Sequence, residues 1–250
     1  MWFLWLVMSA AVLAQAPASA RIWIGHEAQI EEQLRHAEVT RLEDIGTGVT
    51  RPWRAHLKPA QPVESLVWKP LAPGTRGGFW ESYKSEIAAY ELDKFLGMHV
   101  VPPAVEREID RERGAAIMWL EGLQSVKQKG GKVPSGPQWG KAVRRMLMFD
   151  NLIGNPDRNA GNILIGSPGE FILIDHSRAF VARTNINKIE RVDAELWDRM
   201  LALNRADLGR VLGAWLDDGA IDALVTRRDR MAATVDKLVK KKGRGQVIIP

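Results

Sequence analysis

The segment GNPDRNAGNILI at residues 154–165, followed by ILIDHS at residues 172–177, decides the fold. Within it, Asp157 and Asn162 are five positions apart, and Asn162 and Asp175 are thirteen positions apart. Two short apolar runs separated by a turn that contains Gly and Pro are typical of a β-hairpin. The hairpin predicts that Asn162, before the first strand, lies close to Asp175, after its partner strand.

Asp157, Asn162 and Asp175 supply the side chains that phosphoryl transfer requires. The reaction needs a carboxylate that orients and deprotonates the attacking hydroxyl, and oxygen ligands that hold Mg²⁺ on the nucleotide phosphates. Taken singly, Asp157 next to Arg158 is also compatible with a turn that carries a surface ion pair, and Asn162 with ordinary turn chemistry. Asp175 follows four apolar residues, so its carboxylate is expected to need a partner or a metal ion.

The DRNAGN and LIDH segments, residues 157–162 and 173–176, resemble the phosphoinositide 3-/4-kinase-like branch of the protein-kinase-like fold. Secretory-pathway kinases related to the Golgi casein kinase are similar in outline. The resemblance implies an α+β, two-lobed fold with a strand-rich N-lobe and a mainly helical C-lobe, and an ATP-dependent phosphotransferase. It implies that Asp157 is the catalytic base and that Asn162 and Asp175 bind Mg²⁺ or Mn²⁺.

Upstream residues occur in the chain order of a kinase nucleotide site. Such a site needs a strand lysine that binds the phosphates and a helical glutamate that pairs with it. Lys69 and Glu86 are the candidates, and apolar neighbours favour Glu86 over two other glutamates, Glu81 and Glu91. Further nucleotide contacts are expected from a glycine turn and from the adenine-binding segment, with Gly46, Gly48, Met118 and Leu120 as the residues. Each feature alone also fits a hairpin turn or a solvated surface position.

Two alternatives to an active kinase with a lipid or protein acceptor stay open. His176-Ser177 replaces the Phe-Gly pair that usually follows the metal-binding aspartate, which is compatible with a nucleotide-binding pseudokinase that acts as a scaffold. Asn159 stands where the resembled branch has His. The run from Gly161 to Leu164 also resembles aminoglycoside and choline kinases, which implies a small-molecule acceptor. The short stretch between Asp175 and Asp193 disfavours a docked protein substrate.

The first twenty residues differ in composition from the rest of the chain. Residues 1–20 carry no charged side chain and end in Ala-Ser-Ala, which predicts a signal peptide or an N-terminal membrane anchor, with a buried helix as the alternative. We therefore expect an exported protein, periplasmic or extracellular. A Lys-, Gly-, Ser- and Pro-rich stretch at residues 124–137 predicts a boundary between an N-lobe, 21–123, and a C-lobe, 124–250.

The composition of the 250 residues excludes several classes of protein. With 46% hydrophobic and 26% charged residues, the chain is neither collagen-like, nor disordered, nor a polytopic membrane protein. The lack of cysteine excludes disulfides, cysteine-bound zinc, iron–sulfur clusters and thiol nucleophiles. A net charge of +5 suits a nucleotide ligand and is too small to predict a nucleic-acid partner. A monomer is expected, and the basic run at residues 237–244 is either a solvated tail or a contact for an anionic surface.

Periodicity and turn residues predict the secondary structure around the site. We expect a loop over residues 73–78, a helix over 79–96 that ends at Gly97, and a strand over 115–120. A second helix is expected over 138–153. From Asp193 onward the pattern is helical, with a break near Gly219.

Overall fold

The computed structural model describes residues 19–46, 52–59 and 62–250. Most of the predicted leader and Gly48 of the predicted phosphate turn therefore lie outside the described residues. No helix within the described ranges is long and apolar enough to cross a membrane.

The described residues form helices and short strands, with most strands in the first half of the chain and most helices in the second. The helices are α1 (Glu27–His36), α2 (Tyr83–Leu96), α3 (Pro137–Ile153), α4 (Ala194–Ala202), α5 (Arg205–Leu212), α6 (Asp218–Lys242) and α7 (Arg244–Val247). The strands are β1 (Val39–Asp44), β2 (Trp53–Leu57), β3 (Ser65–Lys69), β4 (Gly74–Arg76), β5 (Phe79–Glu81), β6 (Ala104–Ile109), β7 (Glu112–Met118), β8 (Gln124–Ser125), β9 (Ile163–Ile165), β10 (Phe171–Leu173), β11 (Val192–Asp193) and β12 (Ile248–Ile249).

A five-stranded antiparallel sheet dominates the first half of the chain, in the order β1-β2-β3-β7-β6. β3 is central and almost wholly buried, as its apolar composition predicts, and Pro70 follows its last residue. Lys69 ends β3 opposite Ala115 of β7. α2 packs against β6 and β7, which brings its buried face toward the end of β3.

A smaller antiparallel sheet, β10-β9-β8, and helices α3 to α6 form the second half. β9 and β10 pair from Ile163–Leu173 to Ile165–Phe171, so the predicted hairpin is confirmed. α3 begins with Pro137 and ends at Gly154, whose φ of 64° is the left-handed conformation that glycine adopts at low cost. The turn after α3 starts the segment that carries Asp157 and Asn162.

The expected loop and helix around residue 79 are wrong at one boundary. Residues 74–76 and 79–81 pair as a β-hairpin, β4-β5, with Gly77 and Gly78 at positive φ in its turn. α2 starts at Tyr83 because the Ser82 hydroxyl accepts a hydrogen bond from Lys84 N, which satisfies a free amide of the first helical turn. Sequence periodicity extended the helix through Phe79 because aromatic residues fit either pattern.

Two further boundaries differ from expectation. β7 ends at Met118 rather than at residue 120, and it pairs with an unpredicted strand, β6, across Asp110 and Arg111. Both residues have positive φ, as a tight hairpin turn requires, but neither is the glycine that usually signals one. The helical break lies at residues 213–217 rather than at Gly219, because Asp217 caps α6 and its carboxylate accepts from Ala220 N.

Candidate functional site

The Lys69 ammonium lies at the centre of a cluster of opposite charges. Its Nζ donates to Glu86 Oε1 at 2.7 Å and to Asp175 Oδ1 at 2.9 Å. Lys69 and Glu86 are both buried, while about a third of the Asp175 side chain is exposed. Three residues from β3, α2 and the end of the β9-β10 hairpin therefore meet, although they are spread over 106 positions of the sequence.

The ionisation of the cluster follows from burial and from these contacts. Burial lowers the pKa of Lys69, but the charges of Asp175 and Glu86 outweigh it and raise the pKa above its usual value. Burial raises the pKa of Glu86, but the Lys69 charge and the hydrogen bond from His176 outweigh it and hold the pKa well below its usual range. Lys69 and Glu86 are therefore a charged ion pair at neutral pH.

Arg158 joins the loop that carries Asn162 to the strand that precedes Asp175. Its Nη1 donates to the carbonyl oxygens of Asn162 at 2.9 Å and of Ile174 at 2.8 Å. Its Nε and Nη2 bind the carboxylate of Asp150, a buried residue of α3. The surface pairing of Arg158 with Asp157, one of the sequence alternatives, does not occur.

His176 closes the network behind Asp175. Burial lowers the pKa of His176, so its ring is neutral at neutral pH. Its Nε2 lies 2.8 Å from Arg158 Nη2 and accepts the hydrogen bond, which places the ring proton on Nδ1, 3.6 Å from Glu86 Oε2. His176 N also donates to Glu86 at 2.9 Å. His176, which stands where the resembled kinases have Phe, thus links Arg158 to Glu86 of α2.

The backbone after Asp175 is held at three points. Ser177 O accepts from Ser82 N at 2.9 Å, and Ala179 O accepts from the Ser85 hydroxyl at 3.2 Å. Phe180 N donates to Ile153 O at 2.8 Å. These bonds fix the segment between the first turn of α2 and the end of α3.

Asp157 lies on the loop between α3 and β9 and faces a cation. Its Oδ2 is 3.2 Å from Arg178 Nη1, and Arg178 also binds Glu81 and lies over the ring of Phe79. The backbone of Asp157 is fixed by Asn162, whose Nδ2 donates to Asp157 O at 3.0 Å. Arg178 had no sequence signal, because its partners lie 21 and 97 positions away.

Asn162 and Asp175 fit a divalent cation by the chemistry of their donors. Among the described residues, Asn162 Oδ1 and Asp175 Oδ2 accept no hydrogen bond, and carboxylate and amide oxygens are the ligands that Mg²⁺ and Mn²⁺ prefer. The described chain has no group of three or more His, Asp or Glu side chains that would hold a metal alone. A cation at this place therefore needs further oxygens, such as those of nucleotide phosphates.

The other residues expected to contact the nucleotide are Gly46, Met118 and Leu120, and they lie in other parts of the first half of the chain. Gly46 has a φ of 67° and follows β1, where its amide donates to Asp44 Oδ1 at 2.8 Å. Met118 is buried in the core of the large sheet and pairs with Leu66. Leu120, just beyond β7, packs partly buried against that same core. The described contacts do not link any of the three to the Lys69 cluster.

A cavity of about 460 Å³ opens beside the loop that carries Asp157. We call it the loop cavity. Aromatic, amide and cationic groups line it: Phe79, Trp80, Asp150, Asn151, Asn155, Arg178, Arg183, Asn185 and Asn187, with Gly78, Gly154, Pro156 and Val181. Phe79 and Trp80 are each almost half exposed. The sequence patterns predicted none of this lining, because its members come from three separate segments, 78–80, 150–156 and 178–187.

Comparison with known proteins supports the fold. No protein-family model matches the sequence, and no curated protein matches it either. Among solved structures, hydra Fam20 with sugar is 18% identical, with a TM-score of 0.71 over 90% of this chain and 92% of that chain. The Golgi casein kinase with Mn/ADP is 14% identical, with a TM-score of 0.67 over 90% and 79%. The Helicobacter pylori proinflammatory kinase CtkA is 11% identical, with a TM-score of 0.53 over 84% and 97%.

These similarities show an atypical kinase-like fold, with a strand-rich sheet and a helical part, as the sequence predicted. They agree with the resemblance to the Golgi casein kinase group. They do not support the phosphoinositide 3-/4-kinase-like assignment, which rested on one loop and one strand end.

Proposed function

We propose that this chain is an ATP-dependent phosphotransferase that moves the γ-phosphoryl group to a hydroxyl. The observation that carries the proposal is the Lys69–Glu86–Asp175 cluster, with Nζ distances of 2.7 and 2.9 Å, on a kinase-like fold. A buried lysine held between two carboxylates is ready to exchange one of them for nucleotide phosphates. The cost of burying these charges argues against a purely structural role.

The three residues of the cluster, together with Asp157 and Asn162, each have a task in the proposed reaction. Lys69 would bind the phosphates and Glu86 would hold Lys69 in place. Asp157 would accept the proton of the attacking hydroxyl, and Asn162 and Asp175 would hold Mg²⁺ or Mn²⁺. The bound cation would neutralise charge on the phosphates. Positioning and charge neutralisation are the main sources of rate in such transfers.

The loop cavity favours a compact, hydroxyl-rich acceptor. The exposed ring of Trp80 suits the apolar face of a sugar ring, and the neighbouring carboxamides suit its hydroxyls. The similar hydra protein was solved with sugar. We therefore propose to test small-molecule and glycan acceptors before proteins and phosphoinositides.

Compartment and domain division are also proposals. The uncharged leader and the similarity to a Golgi kinase favour export. The large sheet ends with β7 at Met118, and the small sheet begins with β8 at Gln124, which favours a lobe boundary near residue 123.

The test is phosphate transfer from labelled ATP by the purified full chain with Mg²⁺ or Mn²⁺. The acceptor panel contains sugars, aminoglycosides, choline, casein and phosphoinositides. We expect Asp175→Asn and Asp157→Asn to lower the rate at least about 10²-fold, since one well-placed charged group contributes that much. Asp236→Asn, an exposed aspartate of α6, is the matched control. Unchanged transfer by both site variants would refute the assignment.

The pseudokinase alternative gives a different result in the same preparation. It predicts nucleotide binding that requires the metal and is lost in Lys69→Met, with no release or transfer of phosphate at any acceptor. Complete coordination groups at Asn162 and Asp175 favour the active enzyme.

A further inference from the structure

A second concavity, of about 480 Å³, lies next to the loop cavity on the other side of Asn151. We call it the basic groove. α3, the segment before β11 and the last residue of α6 form it, and its lining is Arg144, Leu147, Met148, Asn151, Lys188, Ile189, Glu190, Arg191 and Lys242. Asn151 lines both concavities, and its Oδ1 accepts from Asn187 N at 2.5 Å. The groove therefore opens beside the proposed acceptor site without sharing its charged residues.

The groove has four cations and one carboxylate in its lining. Glu190 pairs with Lys188, and the hydrogen bond and charge of Lys188, followed by the charges of Lys242 and Arg191, hold the pKa of Glu190 below its usual value. Within the described chain, Arg191 and Lys242 have no hydrogen-bond or ion-pair partner. The groove thus carries uncompensated positive charge.

Arg144 has an unused donor within this groove. Its Nη2 reaches Pro250 O at a long 3.4 Å, while its Nε is buried without any partner. A buried N–H that lacks an acceptor is costly, so contacts within the described chain do not fully satisfy the Arg144 guanidinium.

The floor of the groove is apolar. Leu147 is almost half exposed and supplies most of the accessible apolar surface, and the buried Met148 and Ile189 lie beneath it. A polyanion alone gains nothing from such a floor. A glycan would be expected to use aromatic faces, and the lining contains none. A membrane surface is flat, whereas this site is concave.

We propose that the basic groove docks an acidic peptide segment of a partner protein, with leucine-like side chains on the floor and carboxylates on Arg144, Arg191 and Lys242. Charge complementarity commits the site to an acidic occupant, and the floor selects a peptide among acidic ligands. The proposal stands independently of the acceptor and of the phosphotransfer activity.

Fluorescence anisotropy with the full chain tests the docking directly. The probe is a labelled peptide that alternates Glu-Asp pairs with Leu. The comparison peptides replace either the acids by Gln and Asn or the Leu residues by Ser. We expect micromolar binding of the first peptide at 50 mM salt, at least tenfold weaker binding of both comparison peptides, and weakening at 300 mM salt because charges are screened.

Variants locate the site. Arg191→Glu/Lys242→Glu and Leu147→Asp should each weaken the first peptide at least tenfold. The matched control, Lys132→Glu/Lys237→Glu, makes the same change in net charge at exposed positions outside the groove and should bind within twofold of wild type. Circular dichroism checks that each variant is folded.

Three results would overturn the proposal. The first is no binding of the acidic leucine peptide by the wild-type chain up to 1 mM. The second is equal loss in the groove and control variants, which would indicate unspecific charge attraction. The third is equal or tighter binding of heparin, of phosphatidylserine vesicles or of the Ser-substituted peptide, since these lack the apolar anchor.

Discussion

At the scale of single residues, the buried charges around Lys69 are the groups whose substitution we expect to cost the most stability. Removing one member leaves a charge in a poorly hydrated site, and the cost is largest where other hydrogen bonds also depend on the residue. Glu86 uses both carboxylate oxygens, one on Lys69 and one on His176 N.

We expect Glu86→Gln to lower the free energy of unfolding by about 3 kcal/mol at pH 7, near the low end for a broken buried pair because Asp175 stays on Lys69. The folded pKa of Glu86 lies below its unfolded value of 4.5, so its contribution is full above that pH and is lost as the pH falls below it. Urea unfolding at pH 7 and pH 3.5 measures both effects. Glu38→Gln, an exposed glutamate paired with Lys58, is the control and should change stability by less than about 1 kcal/mol. A pH-independent difference between wild type and Glu86→Gln contradicts this account.

Arg158 is the second residue on which the site depends, and it acts through the geometry of its guanidinium group as well as through its charge. Arg158→Lys keeps the cation but cannot bind the Asp150 carboxylate with two nitrogens while also reaching the two backbone carbonyls. We expect a loss of about 2 kcal/mol of stability, as for hydrogen bonds to charged groups, and a kcat at least tenfold lower with little change in the KM for ATP. Arg230→Lys, which keeps an exposed cation with one carbonyl contact, should leave both quantities near wild type.

Sequence spacing located Asp157, Asn162 and Asp175 because a hairpin of defined length joins the last two. It also singled out Lys69 and Glu86 from their positions on a strand and on the next helix. It assigned no role to Arg158, because the partner of this side chain, Asp150, lies eight positions away in the last turn of α3. Arg178 and the loop cavity depend on contacts between distant segments that no local pattern reports.

At the scale of elements, β7 passes unusually close to the end of β3. A Cβ built on Gly114 would lie 2.5 Å from Lys69 O and 2.8 Å from Pro70 Cα, both backbone atoms. Because Gly114 has no side chain, β7 can approach the end of β3 this closely, and the approach fixes the point at which Lys69 leaves the sheet.

Gly114→Ala is expected to displace Lys69, with a stability loss of about 1–3 kcal/mol typical of overpacking and a large loss of phosphotransfer. Gly140→Ala, within α3, meets only the flexible Arg144 side chain at 3.6 Å and should stabilise the protein by up to about 1 kcal/mol. Thermal unfolding and transfer assays distinguish the two. Stability shifts of the same sign would contradict the close approach described here.

The end of α2 carries a carboxylate whose ionisation opposes folding. Burial raises the pKa of Asp93 to about 7, although the amides of Val100 and Val101 act in the opposite direction. The folded state therefore holds a proton that the unfolded state, with a pKa of 3.8, has released, so stability falls as the pH rises from about 4 to about 7. We expect Asp93→Asn to flatten this part of the stability profile in urea unfolding at pH 5, 6, 7 and 8. A variant that retains the wild-type slope contradicts it.

Element prediction succeeded where hydrophobic periodicity and turn residues agreed, as in α3 and the β9-β10 hairpin. It failed at β5, where two aromatic residues satisfied both a strand and a helix pattern and only pairing with β4 decided between them. It missed β6 because charged residues alternate along an edge strand and its turn contains no glycine.

At the scale of the molecule, Arg227 connects α6 to the wall of the loop cavity. It is fully buried and binds carbonyls alone, donating to Leu152 O, Val181 O and Arg183 O. Burial lowers its pKa to about 10, so the group stays charged at neutral pH.

We expect Arg227→Met to destabilise the protein by about 3 kcal/mol, because carbonyls at the end of α3 and in the segment after Asp175 lose their donors. The KM for the acceptor should rise at least threefold with little change in the KM for ATP, since Val181 and Arg183 line the loop cavity. Arg230→Met, one turn further along α6, is the control. An equal rise in both KM values indicates general loosening instead.

The hydrogen-bonded segment after Asp175 has a consequence for how the activity of this protein is regulated. Kinases that switch between active and inactive states commonly rearrange the corresponding segment, which requires that the segment be free to move. Ser177, Ala179 and Phe180 are each hydrogen-bonded to a helix terminus, and such a rearrangement would have to break these bonds. If the proposed transfer occurs, we therefore expect its rate to be controlled from outside the molecule, by nucleotide supply, by delivery of the recipient hydroxyl and by the amount of protein made.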